Sequence, residues 1–244
     1  MDSQFKYYVI HNLNPDRKIN IEKELIMNGV DLSDVQFINH PNKDELTYQI
    51  KKKSVQARSG IKDGWVSVTY KHYLALSDIV ENNIQYGVII EDNIGKFKEN
   101  IPDRLLKYID QMDEDWDIIF DSDWISYKHV NEKKITNKDI VYKKSNQRTL
   151  DKSGKIITHG GTKSAQFYMV NLESAKKLKN AYLPFNHAPD MWMNELFREL
   201  NIKSYWAEPT FIETEKNHVS STNFQKKFSL YRLKSKIINI LLGL

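Results

Sequence analysis

The stretch Gly87-Val88-Ile89-Ile90-Glu91-Asp92-Asn93 decides the fold class of this 244-residue chain. Its first four residues form a short continuous apolar run, which is typical of a strand buried on both faces of a parallel sheet. The polar residues that follow mark the carboxyl end of that strand. The sequence therefore predicts a buried strand that delivers acidic side chains to one edge of a sheet.

Segments on both sides of this strand alternate between strand and helix patterns. The other predicted strands are Phe5 to His11, Val35 to Asn39, Trp116 to Phe120, Ser164 to Val170 and Ser204 to Trp206. The predicted helices are a segment with Asn14 as N-cap and Pro15 as first residue that Gly29 closes, then Val66 to Asn82, Pro102 to Met112, Leu172 to Asn180 and Asp190 to Leu200. This alternation predicts an α/β fold with an open, mostly parallel sheet flanked by helices, where ligands bind at the carboxyl ends of the strands.

The composition is that of a globular protein. Hydrophobic residues make up 40% of the chain and charged residues 28%, which excludes a wholly disordered or collagen-like protein. Cysteine is absent, so disulfides, thiolate metal ligands and a cysteine nucleophile are excluded. No apolar run approaches the roughly 20 residues of a membrane-spanning helix. With no secretory pattern at the amino terminus, we expect a cytoplasmic protein.

Positive charge is concentrated at the carboxyl terminus. The formal net charge is +4, yet the segment after Glu215 contains six basic residues and no acids. The rest of the chain is nearly neutral, and we predict no nucleic-acid partner. We expect one main domain over residues 1–222 and a basic amphipathic helix over residues 223–244. That helix suits an anionic membrane surface, although packing against the body or against a second subunit explains it equally well.

Acidic side chains follow two of the apolar strands. Glu91-Asp92-Asn93 comes after Ile90, and Asp121-Ser122-Asp123 comes after Phe120. Carboxylate oxygens on short loops suit Mg²⁺ or Mn²⁺, which in turn bind diphosphates. The alternative is that these acids only form the turns by which the strands leave the sheet.

Other phosphate-binding and metal-binding motifs are missing. The chain contains no G-x-G-x-x-G and no G-x-x-x-x-G-K-[ST], which disfavours a dinucleotide-binding or P-loop enzyme. It also contains no H-E-x-x-H. His218 lies in a polar stretch and is a candidate metal ligand, whereas His72 lies in a helical pattern with apolar neighbours and on its own fits a structural role.

Five blocks of the sequence together resemble glycosyltransferase family 25, which includes lipopolysaccharide-type transferases and collagen galactosyltransferase domains. The blocks are Val9 to Leu13 with Arg17, Gly64 to His72, Ile90 to Asn93, Trp116 to Ile119, and Gln166 to Leu178, followed by Pro184 and Asp190. Three positions depart from the family pattern. Ser67 stands for a glycine, Lys71 for a serine and Asn93 for an acid.

The resemblance implies a GT-A-like fold, a nucleotide-diphosphate sugar as donor (a UDP-sugar favoured), and Mn²⁺ or Mg²⁺ as cofactor. The metal ligands it implies are Glu91, Asp92 and Asn93, to which His218 is added as a candidate from its polar surroundings. For cofactor binding we expect Asn12, Arg17 and His72, together with Asp121 and Asp123, a pair that the family usually lacks and that compensates for Asn93. Asp190 is the candidate catalytic base because a helix amino terminus favours its ionised form, and its alternative role is that of a helix N-cap.

The sequence thus predicts a metal-dependent, inverting glycosyltransferase that moves a hexose, galactose or glucose favoured, to a hydroxyl of a glycan or lipid-linked glycan. Two other classes fit the same acidic loops. One is a metal-dependent nucleotidyltransferase or phosphohydrolase. The other is a non-catalytic glycan-binding protein.

Overall fold

The computed structural model of the chain describes residues 4–112, 116–121, 140–142, 149–150, 156–158, 164–207 and 210–214. The strands are β1 (Phe5–Ile10), β2 (Val35–Ile38), β3 (Tyr86–Glu91), β4 (Ile94–Phe97), β5 (Ile118–Phe120), β6 (Ile140–Tyr142), β7 (Thr149–Leu150), β8 (Ile156–Thr158), β9 (Phe167–Asn171), β10 (Ser204–Ala207) and β11 (Ile212–Thr214). The helices are α1 (Pro15–Met27), α2 (Tyr48–Ser54), α3 (Asp63–Glu81), α4 (Ile101–Asp110), α5 (Leu172–Ala181) and α6 (Pro189–Glu199).

Seven strands form the central sheet, in the order β2-β1-β3-β9-β5-β10-β6. The pairs β1 with β2, β1 with β3, and β5 with β10 are parallel. Strand β9 is antiparallel to both of its neighbours, and β6 is antiparallel to β10. Five strands therefore point in one direction and two in the other, which confirms the predicted α/β fold with a mostly parallel sheet.

Helices cover both faces of this sheet. One core packs α3, α5 and α6 against residues such as Tyr8, Ile89 and Phe120. The other packs α1 and α4 against the opposite side chains, such as Val9 and Val88. Alternate residues of β1 and β3 thus enter different cores, as the pleat of a strand requires, and both strands are buried on both faces.

The predicted end signals of the first helix are confirmed. The Asn14 side chain accepts hydrogen bonds from the backbone N–H groups of Asp16 and Arg17, and Pro15 is the first helical residue. Gly29, two residues beyond the helix, has a φ of 85°, a left-handed conformation that suits glycine. The helix therefore begins directly after the loop that follows β1, which places Arg17 close to the carboxyl end of that strand.

Some elements were not predicted from the sequence, and some predictions lie outside the described residues. The short helix α2 and the two-stranded pair of β4 with β11 were missed. The predicted amphipathic helix over residues 223–244 lies outside the described residues. No helix in the described part of the chain combines the length and the hydropathy needed to cross a membrane.

Gly87 lets helix α3 lie close to strand β3. A Cβ atom at this position would come within 2.2 Å of Ile79 Cδ1 and 2.7 Å of Ile79 Cγ1. Gly87→Ala is therefore expected to lower the free energy of unfolding by about 1–3 kcal/mol, the usual effect of an extra methyl group in a packed core. Chemical denaturation measures the change.

A double-mutant cycle tests the cause. Ile79→Val removes Cδ1, so the double variant should lose less stability than the sum of the two single losses. Strictly additive losses would contradict the contact.

Candidate functional site

A cleft of about 690 Å³ opens at the carboxyl ends of β1 and β3. These strands are adjacent and parallel, with Ile10 paired to Glu91, so the residues that follow them leave the sheet side by side. The amino-terminal part of α3 and the start of α6 complete the walls. The cleft thus has the position expected for a ligand site in an open α/β sheet.

Asp92 is the anchor of this cleft. Its side chain is buried, and both of its carboxylate oxygens accept hydrogen bonds. Oδ2 accepts from His11 Nδ1 at 2.9 Å and from the Asn12 backbone N–H at 3.2 Å. Oδ1 accepts from Arg17 Nη1 at 3.0 Å. One carboxylate therefore fixes the strand end, the loop and the first turn of α1.

His11 is the buried partner of this carboxylate. Burial lowers its pKa, and the charge of Lys71 acts in the same direction, although Asp92 opposes the shift. A carboxylate can only accept hydrogen bonds, so Nδ1 of His11 carries the proton that it donates. We infer a neutral imidazole that orients Asp92 without adding a charge to the cleft.

Lys71 supplies a buried cation on the same side of the cleft as Asp92 and His11. It lies on the inner face of α3, and only 1% of the residue is exposed. Its Nζ donates to the His11 carbonyl at 2.6 Å and to Asn42 Oδ1 at 2.7 Å. Burial lowers its pKa to about 8, so most of the population is still charged at neutral pH. Lys71 and Arg17 make this side of the cleft cationic.

Two further carboxylates, Glu91 and Asp190, line the same cleft. Burial raises the pKa of Asp190 to about 6, and the negative charge of Glu91 adds to the shift. Asp190 lies in the first turn of α6, where its Oδ1 accepts from the Met191 N–H at 2.8 Å, but Ala188 occupies the N-cap position. An acid with a pKa near neutrality beside an open cleft is suited to general base catalysis.

His72 lies behind Glu91 and is not part of the cleft lining. It is fully buried, its ring stacks on Tyr168, and the two residues share a 2.9 Å hydrogen bond from Nδ1 to the phenol oxygen. Its Nε2 is 3.5 Å from Glu91 Oε1. The structure therefore places His72 where it can orient Glu91, and not where it could contact a nucleotide directly.

Asp121 is not brought to the cleft. Strand β9 separates β5 from β3, so the two acidic stretches do not follow neighbouring strands. The buried carboxylate accepts from the Tyr108 hydroxyl, from Thr210 Oγ1 at 2.6 Å and from the Phe211 N–H at 3.1 Å. It joins α4 to the chain before β11, which is a structural role. Asp123 and His218 lie outside the described residues.

The acidic residues of the cleft do not fit a divalent metal ion. No group of three or more acidic or histidine side chains in the described ranges is arranged to hold one. Asp92 is already bonded by Arg17, His11 and a backbone N–H, and an ion beside it would face the Arg17 guanidinium. Asn93 accepts from Gln166 Nε2 and donates to Glu91 Oε2. Mn²⁺ or Mg²⁺ stays a prediction of the sequence.

Two residues of the site were missed as candidates. Lys71 was noted only as a departure from the family pattern, and His11 only as part of a strand. A lysine four residues before Ala75 and eight before Ile79 falls on the buried face of the predicted helix, and this is the signal that could have found it. His11 carried no such signal, because its role depends on the pairing of β1 with β3.

Comparisons with known proteins were made for the sequence and the fold. No curated protein matches the sequence. Among solved structures, A197 from STIV is 10% identical with a TM-score of 0.48, over 86% of this chain and 84% of that chain. Mouse xyloside xylosyltransferase 1, apo form, is 13% identical with a TM-score of 0.36, over 82% and 70%. Both TM-scores are below 0.5, so neither likeness supports a family or a function for this chain.

The family comparison gives a match that spans both sides of the cleft. The model of Glycosyltransferase family 25 (LPS biosynthesis protein) matches residues 5–193, from the first strand into α6. This is more than half of the chain, and it includes Asp92 and its partners as well as Asp190. The chain therefore belongs to glycosyltransferase family 25 and is a glycosyltransferase.

Proposed function

We propose that the chain transfers a hexose, galactose or glucose favoured, from a nucleotide-diphosphate sugar to a hydroxyl of a glycan or lipid-linked glycan, with inversion at the anomeric carbon. The observation that carries the proposal is that one cleft is lined by both kinds of charge. Arg17 and Lys71 lie near the end of β1, and the carboxylates Glu91 and Asp190 line the same cleft. A donor that is anionic at one end and a hydroxyl that must lose a proton require this arrangement.

The donor binds on the side of β1 in this proposal. Asn12 and Arg17 follow that strand and line the cleft, and Asp92 holds the backbone of one and the guanidinium of the other. A volume of about 690 Å³ falls in the usual range of small-molecule sites, roughly 300–1,000 Å³. A UDP-sugar is the favoured donor because of the family resemblance.

The chemical step is a single displacement with Asp190 as base. The carboxylate takes the proton of the acceptor hydroxyl, and the resulting oxygen attacks the anomeric carbon. The bond from that carbon to the diphosphate breaks, and the nucleoside diphosphate leaves with the electron pair. Because attack and departure occur on opposite faces, the configuration inverts. Asp190 carries an elevated pKa, which makes it a stronger base than an exposed aspartate.

No step of this proposal passes through a metal ion. The sequence predicts Mn²⁺ or Mg²⁺, but the carboxylates of the described cleft already have other partners: Asp92 accepts from Arg17 and His11, Glu91 from Asn93, and Asp190 from the Met191 N–H. Donor assays with and without Mn²⁺ therefore decide the metal dependence.

A panel of UDP- and GDP-sugars tests the function. We expect slow release of nucleotide from one donor in the absence of acceptor, measured by chromatography. Inertness towards the whole panel, without a thermal shift by any nucleotide, would indicate a non-catalytic glycan-binding protein. Release of inorganic phosphate from simple phosphoesters would indicate a nucleotidyltransferase or phosphohydrolase.

Asp190→Asn tests the base. The variant should bind UDP with unchanged affinity but lose at least about 100-fold in kcat, the usual contribution of a general base. In the wild type, kcat should fall as the pH drops through about 6, because a protonated Asp190 cannot accept a proton. Asp103→Asn, an exposed acid in the first turn of α4, is the matched control. Full transfer by Asp190→Asn would exclude this residue as the base.

The basic carboxyl-terminal segment is proposed to bring the enzyme to a lipid-linked acceptor. Deleting residues 224–244 should weaken binding to vesicles that contain anionic lipids, since each basic residue near such a surface contributes about 1 kcal/mol. Vesicles of neutral lipid are the control in a sedimentation assay. Loss of soluble expression would show instead that the segment belongs to the core.

A further inference from the structure

The positive charges that this cleft offers to a phosphate belong to two side chains of the protein. Lys71 and Arg17 both adjoin the carboxylate that the sequence assigns to metal binding: the Asp92 charge acts on Lys71, and Arg17 is 3.0 Å from Asp92. A divalent ion at Asp92 would be repelled by both cations. Two basic groups thus lie beside one carboxylate, and the charge of the exposed Glu45 acts on Lys71 as well.

The positive charge of Lys71 is only partly compensated, although the ammonium group is buried. An ammonium can donate three hydrogen bonds, and in the described part of the chain it donates two, both to neutral oxygens. Burying a cation is costly unless a negative group accompanies it, and the two carboxylates whose charges act on Lys71, those of Asp92 and Glu45, accept hydrogen bonds from other donors. Such a group is prepared to receive an anion.

Asn42 occupies the position that an anion could take. Its amide oxygen is 2.7 Å from Lys71 Nζ, and both residues line the cleft. Asn42 lies in the segment between β2 and α2, outside the central sheet. A phosphate oxygen that replaced this neutral acceptor would form a charge-assisted bond, which is the stronger kind.

We propose that Lys71 and Arg17 together bind the diphosphate of the donor, so that donor binding needs no divalent cation. This inference rests on the proposed function and names the groups that perform its anion recognition. When the anomeric bond breaks, its electron pair stays on the departing phosphate oxygen. The ammonium and guanidinium groups stabilise the charge that develops there, which is the task a metal ion performs in other sites.

Calorimetric titration of the full chain with UDP and with GDP tests the inference, in EDTA and in Mn²⁺. We expect one of the two nucleotides to bind in EDTA with an affinity within about threefold of that in Mn²⁺. Lys71→Met should weaken binding at least about tenfold, a loss of about 1.4 kcal/mol. Lys43→Met is the matched control because Lys43 lines the same cleft but is exposed, and its affinity should change by less than about threefold.

Several outcomes separate this inference from the proposed function. Binding that requires Mn²⁺ would overturn the inference and leave the proposed function standing. No binding of UDP or GDP in either buffer would overturn both. Equal losses in the Lys71→Met and Lys43→Met variants would show a diffuse charge effect and would also overturn the inference.

A second variant covers a failure of Lys71→Met to fold, which its thermal midpoint would reveal. Arg17→Gln keeps a polar side chain on the surface of α1 and removes the guanidinium charge. It should lose at least about tenfold in UDP or GDP affinity in EDTA. UMP, which lacks the second phosphate, should be affected less than UDP by either substitution. Unchanged nucleotide affinity in Arg17→Gln would contradict the proposal.

Discussion

The buried carboxylate of Asp92 is the interaction on which the cleft depends. It accepts from an imidazole, a backbone N–H and a guanidinium, which come from the strand end, the loop and the first turn of α1. Its own backbone N–H donates to the Ile10 carbonyl, which continues the pairing of β1 with β3 beyond the strands. A buried charge is tolerated only where several donors satisfy it, and here the same donors build the wall of the site. Stability and function therefore share one group.

Helices from both cores contribute to the site. Helix α3 packs on one face of the sheet, and its inner face carries apolar residues for most of its length. Near the cleft the same face presents Ser67 and Lys71, which bond to Pro41 and to His11 and Asn42. Helix α6 packs in the same core and brings its first turn, with Asp190, to the cleft, whereas α1, which carries Arg17, packs in the opposite core. The packed sheet and helices hold these groups at fixed separations, as a site that positions two substrates requires.

The sequence was sufficient for most of the fold because local patterns specify local elements. The apolar run before Glu91, the Asn14-Pro15 start and the helical spacing of Val66 to Asn82 all correspond to observed elements. No local pattern in the sequence indicates whether a buried strand is parallel or antiparallel to its neighbours. A buried antiparallel strand has the same apolar pattern as a parallel one, so β9 was not expected between β3 and β5. Asp92 and Asp121 follow strands that point to the same edge of the sheet, but β9 separates them. The role of Lys71 depends likewise on contacts with residues 29 and 60 positions away.

The reversed direction of β9 has a consequence for how the enzyme can diversify. Because β5 runs towards the cleft edge and β9 runs away from it, the chain leaves the sheet at Asp121 and returns at Ser164 on that same edge, where the Asp121 N–H meets the Phe167 carbonyl. The length of this connection can therefore change while the register of β9 against β3 and β5 stays the same.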